Sequence, residues 1–161
     1  MSTVQTLIRS EAARHSVPVA LALAVAELES RFNPSAEGDK LWHTKQGGAL
    51  YRKLVHDEPR FAANPARLEP EAWHSYGVFQ LLAPYHVQPH EHPRVLLDPK
   101  VNISRGVRFL ASLLKRAEGD PYAARLAYVG CGFDGGKCSL QTANEVRQRL
   151  SSALSKWQGI A

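Results

Sequence analysis

The stretch VAELESRFNP, residues 25–34, ends a long apolar segment with two glutamates, Glu27 and Glu29. Residues 17–26 before these glutamates carry no charge and repeat small and aliphatic side chains. Such a run predicts a helix that is buried in the core of the protein. The Asn-Pro pair that closes the stretch is typical of a helix end. Two acidic side chains at the end of a buried helix therefore need a physical explanation.

The two glutamates differ in the direction that each can face. They lie two positions apart, so on a helix they point about 200° away from each other and only one can face a given cleft. Glu29 is nearer the carboxyl end, where the helix dipole and reduced hydration both raise the pKa of a carboxyl group. A raised pKa suits a proton donor. The common alternative for such a residue is a carboxylate that faces solvent.

Composition and charge narrow the class of protein. The chain has 161 residues, of which 44% are hydrophobic and 22% charged, and this predicts one soluble globular domain over residues 1–161. The net charge of +5 favours an anionic partner such as nucleic acid, a membrane face or an anionic cell-wall polymer. No helix-turn-helix or Gly-rich phosphate signature supports nucleic acid. The apolar segment at residues 17–28 is too short to insert across a membrane.

Apolar positions recur at helical spacing along most of the chain, which predicts an all-α domain of six to eight helices. Ser16 is predicted to cap the helix that holds Glu29, and a further helix is predicted from Pro70 to Leu82. Asp120 is predicted to cap a helix that runs to Tyr128. The other predicted helices cover residues 4–12, 48–58 and 100–116 and the tail, where Val146, Leu150, Leu154 and Trp157 share one face.

Cysteine and histidine leave two questions open. Cys131 and Cys138 flank a Gly-rich turn, and they either form a disulfide or remain two free thiols. His86, His90 and His92 lie in a segment interrupted by prolines, and their spacing matches no structural zinc pattern. We therefore expect a surface loop there and predict no metal or cofactor.

Four motifs occur in a characteristic order: ELESRFNP at 27–34, SYGVFQLL at 75–82, DPKVNISRGVRFLASLL at 98–114 and AYVGCG at 127–132. Together they resemble the goose-type-lysozyme-like family of soluble lytic transglycosylases over roughly residues 4–132. The resemblance implies an all-α, lysozyme-like fold that binds peptidoglycan glycan strands. The connection between the first two motifs is longer than in compact relatives. Residues from about 38 to 72 are therefore interpreted as an insertion beside the cleft. Phage-borne members of the family often carry such an insertion.

The resemblance also implies roles for individual residues. The Glu before Ser is the only catalytic acid and base in this family, so this role falls on Glu29. Ser75 and Gln80 are expected to line the sugar cleft, with a buried and internally bonded glutamine as the alternative. Tyr128 is expected to be the partner of the catalytic carboxyl group. Relatives have Asn after this tyrosine, whereas this chain has Val129.

The implied reaction is cleavage of the β-1,4 bond between N-acetylmuramic acid and N-acetylglucosamine with formation of a 1,6-anhydro ring. One alternative is a hydrolytic goose-type lysozyme, in which Glu37 or Asp39 would position water. The other is a cell-wall-binding module without activity. No export signal is visible, which favours a phage lysin or virion component acting in the periplasm or cell wall; a secretion-system component is a further alternative.

Overall fold

A computed structural model of the protein describes residues 3–38, 74–88 and 91–159. The elements in these ranges are α1 (Thr3–Arg14), α2 (Val19–Ser30), β1 (Glu37–Gly38), β2 (Ser75–Tyr76), β3 (Leu81–Leu82), α3 (Ala83–His86), a 3-10 helix (Pro93–Leu97), α4 (Pro99–Arg116), α5 (Pro121–Tyr128) and α6 (Leu140–Trp157). Helix dominates these elements, which confirms the predicted all-α class. The helix predicted at 48–58 and most of the predicted insertion lie outside the described residues.

The chain divides into two compact units. The helical unit consists of residues 1–32 and 103–161, and the sheet unit consists of residues 33–102. The single domain over residues 1–161 stays a prediction.

Helix α2 forms the core of the helical unit. Its residues Leu21 to Ala26 are all buried, as the uncharged apolar run predicts. It packs against α1 and α6, and α6 also packs against α5. The buried residues of α6 follow helical spacing on one face: Ala143, Leu150, Ala153 and Trp157. This stripe confirms the amphipathic helix predicted for the tail.

The N-terminal end of α2 differs from the prediction. Ser16 does not cap the helix, because it lies in the turn after α1 with a left-handed backbone (φ +54°), and Pro18 occupies the N-cap position. The prediction for Ser16 was therefore wrong.

At the C-terminal end of α2, Arg31 and Phe32 both have a left-handed backbone, with φ of +54° and +65°. This turn ends the helix directly after Glu29 and Ser30, and the backbone N–H of Arg31 donates to the carbonyls of the last turn.

Residues 74–82 form part of a small antiparallel sheet, so the helix predicted from Pro70 to Leu82 was wrong in its described part. The strand order is β1-β2-β3, and Ser75 pairs with both Gly38 and Leu82. Gly77 explains the difference. Its φ is +73°, and a Cβ atom there would lie 2.5 Å from Nδ2 of Asn102 and 2.6 Å from the carbonyl oxygen of Leu96. Only glycine fits this turn, and its left-handed backbone is incompatible with a helix.

Asn102 holds the turn between β2 and β3. Its fully buried side chain accepts a hydrogen bond from the N–H of Phe79 at 2.8 Å. It donates to the carbonyls of Tyr76 at 2.7 Å and Leu96 at 2.9 Å. One amide thus satisfies three backbone groups.

Replacing Asn102 by alanine should lower the free energy of unfolding by about 3 kcal/mol, because it leaves three backbone groups without their partner. Urea denaturation followed by circular dichroism measures the loss. Asn144→Ala is the matched control, since Asn144 is exposed and its side chain bonds only to Arg147 among the residues described; its effect should stay within about 0.5 kcal/mol. A loss below about 1 kcal/mol for Asn102→Ala would contradict this account of the turn.

Cys131 and Cys138 form a disulfide, with Cα atoms 5.0 Å apart. Of the two alternatives left by the sequence, the structure therefore has the bridged one. Cys131 is buried against Leu126 of α5 and Ala143 of α6. The bridge closes the loop between these two helices immediately after Tyr128.

Candidate active site

The carboxylate of Glu29 forms an ion pair with Arg125. Glu29 lies in the last turn of α2, and Arg125 lies in the middle of α5. Nη1 of Arg125 donates to Oε1 of Glu29 at 2.5 Å, and the exposed fractions of the two side chains are only 9% and 16%. Because both groups are largely removed from water, salt screens this pair much less than a surface pair.

Tyr128 completes this cluster from the next turn of α5. The guanidinium carbon of Arg125 lies 5.5 Å from the centre of the Tyr128 ring. The centres of the Phe109 and Tyr128 rings are 5.2 Å apart. Burial of the hydroxyl group raises the pKa of Tyr128 well above its usual value, and the negative charge of Glu29 raises it further, while Arg125 acts in the opposite direction. The hydroxyl therefore stays protonated and can donate a hydrogen bond at neutral pH.

Glu27 faces a different helix, as its position relative to Glu29 predicts. Its Oε2 accepts a hydrogen bond from Nε1 of Trp157 at 2.7 Å, and its Oε1 pairs with Nζ of Lys156. The Trp157 ring also meets the ring of Phe32 edge to face, with centroids 5.6 Å apart. The end of α6 thus anchors both Glu27 and the left-handed turn that follows Glu29.

Arg125 changes the expected electrostatics of Glu29. Burial and the carboxyl end of a helix disfavour a charged carboxylate, and these are the two effects on which the sequence prediction depends. A cation in contact with the carboxylate favours the charged form. No motif singles out Arg125, but an arginine between Ala124 and Leu126 on a short apolar helix is a usable signal, because a buried guanidinium needs an anionic partner.

Ser75 and Gln80 belong to the sheet unit. Ser75 is buried, with 1% of its surface exposed. Both donor bonds of the Gln80 amide are internal: Nε2 donates to the carbonyls of Ala36 at 3.2 Å and Gly77 at 3.0 Å. This agrees with the alternative of an internally bonded glutamine, and only Oε1 of Gln80 remains as an acceptor for a ligand. Contact of either residue with a sugar stays a prediction.

The histidines of the Pro-rich segment have structural positions where they are described. Nδ1 of His92 accepts a hydrogen bond from the N–H of Arg94 and so caps the 3-10 helix. His86 ends α3, and His90 lies outside the described residues. Within the ranges that the structure covers, no three His, Cys, Asp or Glu side chains come close enough to hold a metal ion.

A family model for the transglycosylase SLT domain matches residues 6–149. The chain belongs to this SLT family. Neither the curated proteins nor the solved structures gave a match. The SLT domain indicates a lytic transglycosylase that acts on peptidoglycan. Of the helices described in this SLT domain, none is long and apolar enough to cross a membrane.

The SLT match ends inside α6, which continues to Trp157. Lys156 and Trp157 therefore lie beyond the matched span. Their contacts with Glu27 and Phe32 join residues beyond the matched span to residues inside it.

Tyr128→Phe should remove tyrosinate absorbance only from the late, high-pH part of an alkaline titration, because the pKa of Tyr128 is raised by burial and by Glu29. The unmodified protein, titrated under the same conditions, is the reference. Loss of an early component in Tyr128→Phe would show that its hydroxyl is accessible to water.

Proposed function

We propose that this SLT domain cleaves the β-1,4 bond between N-acetylmuramic acid and N-acetylglucosamine and leaves a 1,6-anhydro end on the muramyl residue. Glu29 is the proposed acid and base. The observation that supports this most directly is the convergence of Glu29, Arg125 and the protonated Tyr128 at the end of a buried helix, inside the matched SLT span.

In the first step, the protonated carboxyl of Glu29 donates to the oxygen that bridges the two sugars. The bond from this oxygen to the muramyl anomeric carbon breaks, and the N-acetylglucosamine side leaves with a hydroxyl group. The neighbouring 2-acetamido group of the muramyl residue assists by stabilising the positive charge at that carbon. Glu29 is then a carboxylate.

In the second step, the carboxylate of Glu29 takes the proton of the muramyl 6-hydroxyl. The oxygen of this hydroxyl bonds to the anomeric carbon and closes the anhydro ring. Glu29 regains its proton, and no water is consumed. One carboxyl group is sufficient because it returns to its starting state.

Arg125 and Tyr128 stabilise Glu29 in the carboxylate form that exists between the two steps. The guanidinium of Arg125 stabilises the carboxylate that forms after proton donation. The hydroxyl of Tyr128 stays protonated, so it is available to donate a hydrogen bond to the same carboxylate. The acid form of Glu29 requires the ion pair with Arg125 to weaken, which we attribute to substrate displacing water and shifting the carboxyl toward the bridging oxygen.

The rival reaction is hydrolysis, in which a second acid activates water. Glu37 lies in β1 of the sheet unit, where Oε1 is 3.4 Å from Nη2 of Arg94 and Oε2 is 4.0 Å from Nδ1 of His74. Asp39 lies outside the described residues. Product mass separates the two reactions.

Mass spectrometry of muropeptides released from purified cell walls tests the proposal. We expect anhydro products, each lighter by one water than the corresponding hydrolytic product. Release of only the heavier species would replace the transglycosylase by a lysozyme.

The matched pair Glu29→Gln and Glu27→Gln provides the control, since the two residues lie two positions apart in one helix. Glu29→Gln should lower the rate by about 100-fold or more, the usual contribution of a general acid. Glu27→Gln should retain activity, because Glu27 bonds to Lys156 and Trp157 and not to the cluster around Arg125. Unchanged clearance of cell walls by Glu29→Gln would exclude Glu29 as the acid, and no clearance by the unmodified protein would favour the binding module without activity.

We also propose that the protein opens the cell wall from the periplasm or the outside, as a phage lysin or virion component. The disulfide between Cys131 and Cys138 supports an oxidising compartment. The net charge of +5 supports attraction to anionic wall polymers.

A further inference from the structure

A groove of about 1270 Å³ lies within the helical unit and includes Glu29 in its lining. Its other residues come from α1, from the end of α2 and the turn after it, and from α6. The groove is lined by charged and polar side chains together with the rings of Phe32 and Trp157. A ligand in this groove would therefore lie beside the proposed acid.

Two arginines in this groove are available for an anionic ligand. Three cations line it, Arg31, Arg149 and Lys156, and Lys156 is already paired with Glu27. Arg31 and Arg149 are exposed and form no ion pair with another described residue.

The acids of the groove do not compensate these two arginines through direct contact. Glu27 and Glu29 are paired with Lys156 and Arg125. Glu145 lies one turn before Arg149 on α6 and accepts a hydrogen bond from Gln141. Gln148 and Ser152 add neutral hydrogen-bonding groups from the exposed side of the same helix.

The chemistry of peptidoglycan places anionic groups close to Glu29. The muramyl ring whose bond is cleaved carries a lactyl group, and the peptide stem is attached to this group. The stem bears free carboxylates. It therefore begins within one sugar ring of the oxygen that Glu29 would protonate, so its carboxylates come near the groove that contains Glu29.

We propose that Arg31 and Arg149 bind carboxylates of the peptide stem in this groove. The inference rests on the proposed function, because it assumes that Glu29 acts on the muramyl bond. A guanidinium group forms two parallel hydrogen bonds with a carboxylate, and such charge-assisted bonds are about twice as strong as neutral ones. The enzyme is then selective for strands that carry stems over bare glycan.

The test compares cleavage of two substrates, purified glycan strands with intact stems and the same strands stripped of stems by an amidase. The measured quantity is the ratio of kcat/KM for strands with stems to kcat/KM for stripped strands. Arg149→Gln and Arg31→Asn should each lower this ratio by about tenfold, which corresponds to one lost charge-assisted contact of about 1.4 kcal/mol. Asn is chosen at position 31 because it tolerates the left-handed backbone there.

Arg108→Gln is the matched control, since it removes the same charge from an exposed position on α4 that does not line the groove. It should keep the ratio of the unmodified protein. Equal ratios in Arg149→Gln, Arg31→Asn and the control would overturn the stem site while leaving the proposed function intact. Failure of the unmodified protein to cleave either substrate would overturn the proposed function, and the stem site with it.

Discussion

The ion pair between Glu29 and Arg125 joins the end of α2 to the middle of α5 across 96 positions of the chain. Such a pair contributes little net stability, because each charge loses its hydration, but removing one partner is costly. The main effect of this ion pair is to fix the position of the carboxylate. Arg125 fixes the carboxylate, and Tyr128 lies one turn further along α5. The disulfide after Tyr128 and the packing of α6 against both α2 and α5 hold these groups in place.

The two glutamates at the end of the buried helix have separate explanations. Glu27 is held by Trp157 and Lys156 at the end of α6, and Glu29 is held by Arg125 of α5. The helix can end with two carboxylates because each one finds a cationic partner on a different neighbouring helix. One pair anchors the C-terminal helix, and the other provides the group to which we assign the chemistry.

Features set by local sequence could be predicted, and features set by distant contacts could not. Helix α5 begins as predicted, because the Asp120 side chain accepts the N–H groups of Tyr122 and Ala123. The hairpin at 74–82 was mistaken for a helix because Asn102, far along the chain, fixes its turn. Glu29 and Tyr128 came from the family resemblance. Their link through Arg125 needed the tertiary structure, since it depends on how α2 and α5 pack.

The most direct test of the central ion pair is a pH titration of the Glu29 carboxyl carbon by NMR, in the unmodified protein and in Arg125→Met. Methionine retains much of the apolar bulk of the arginine stem and removes its charge. The account predicts that the carboxyl of Glu29 takes up its proton at a higher pH in Arg125→Met, because the charged form loses its stabilising cation. Identical titration curves for the two proteins would contradict it.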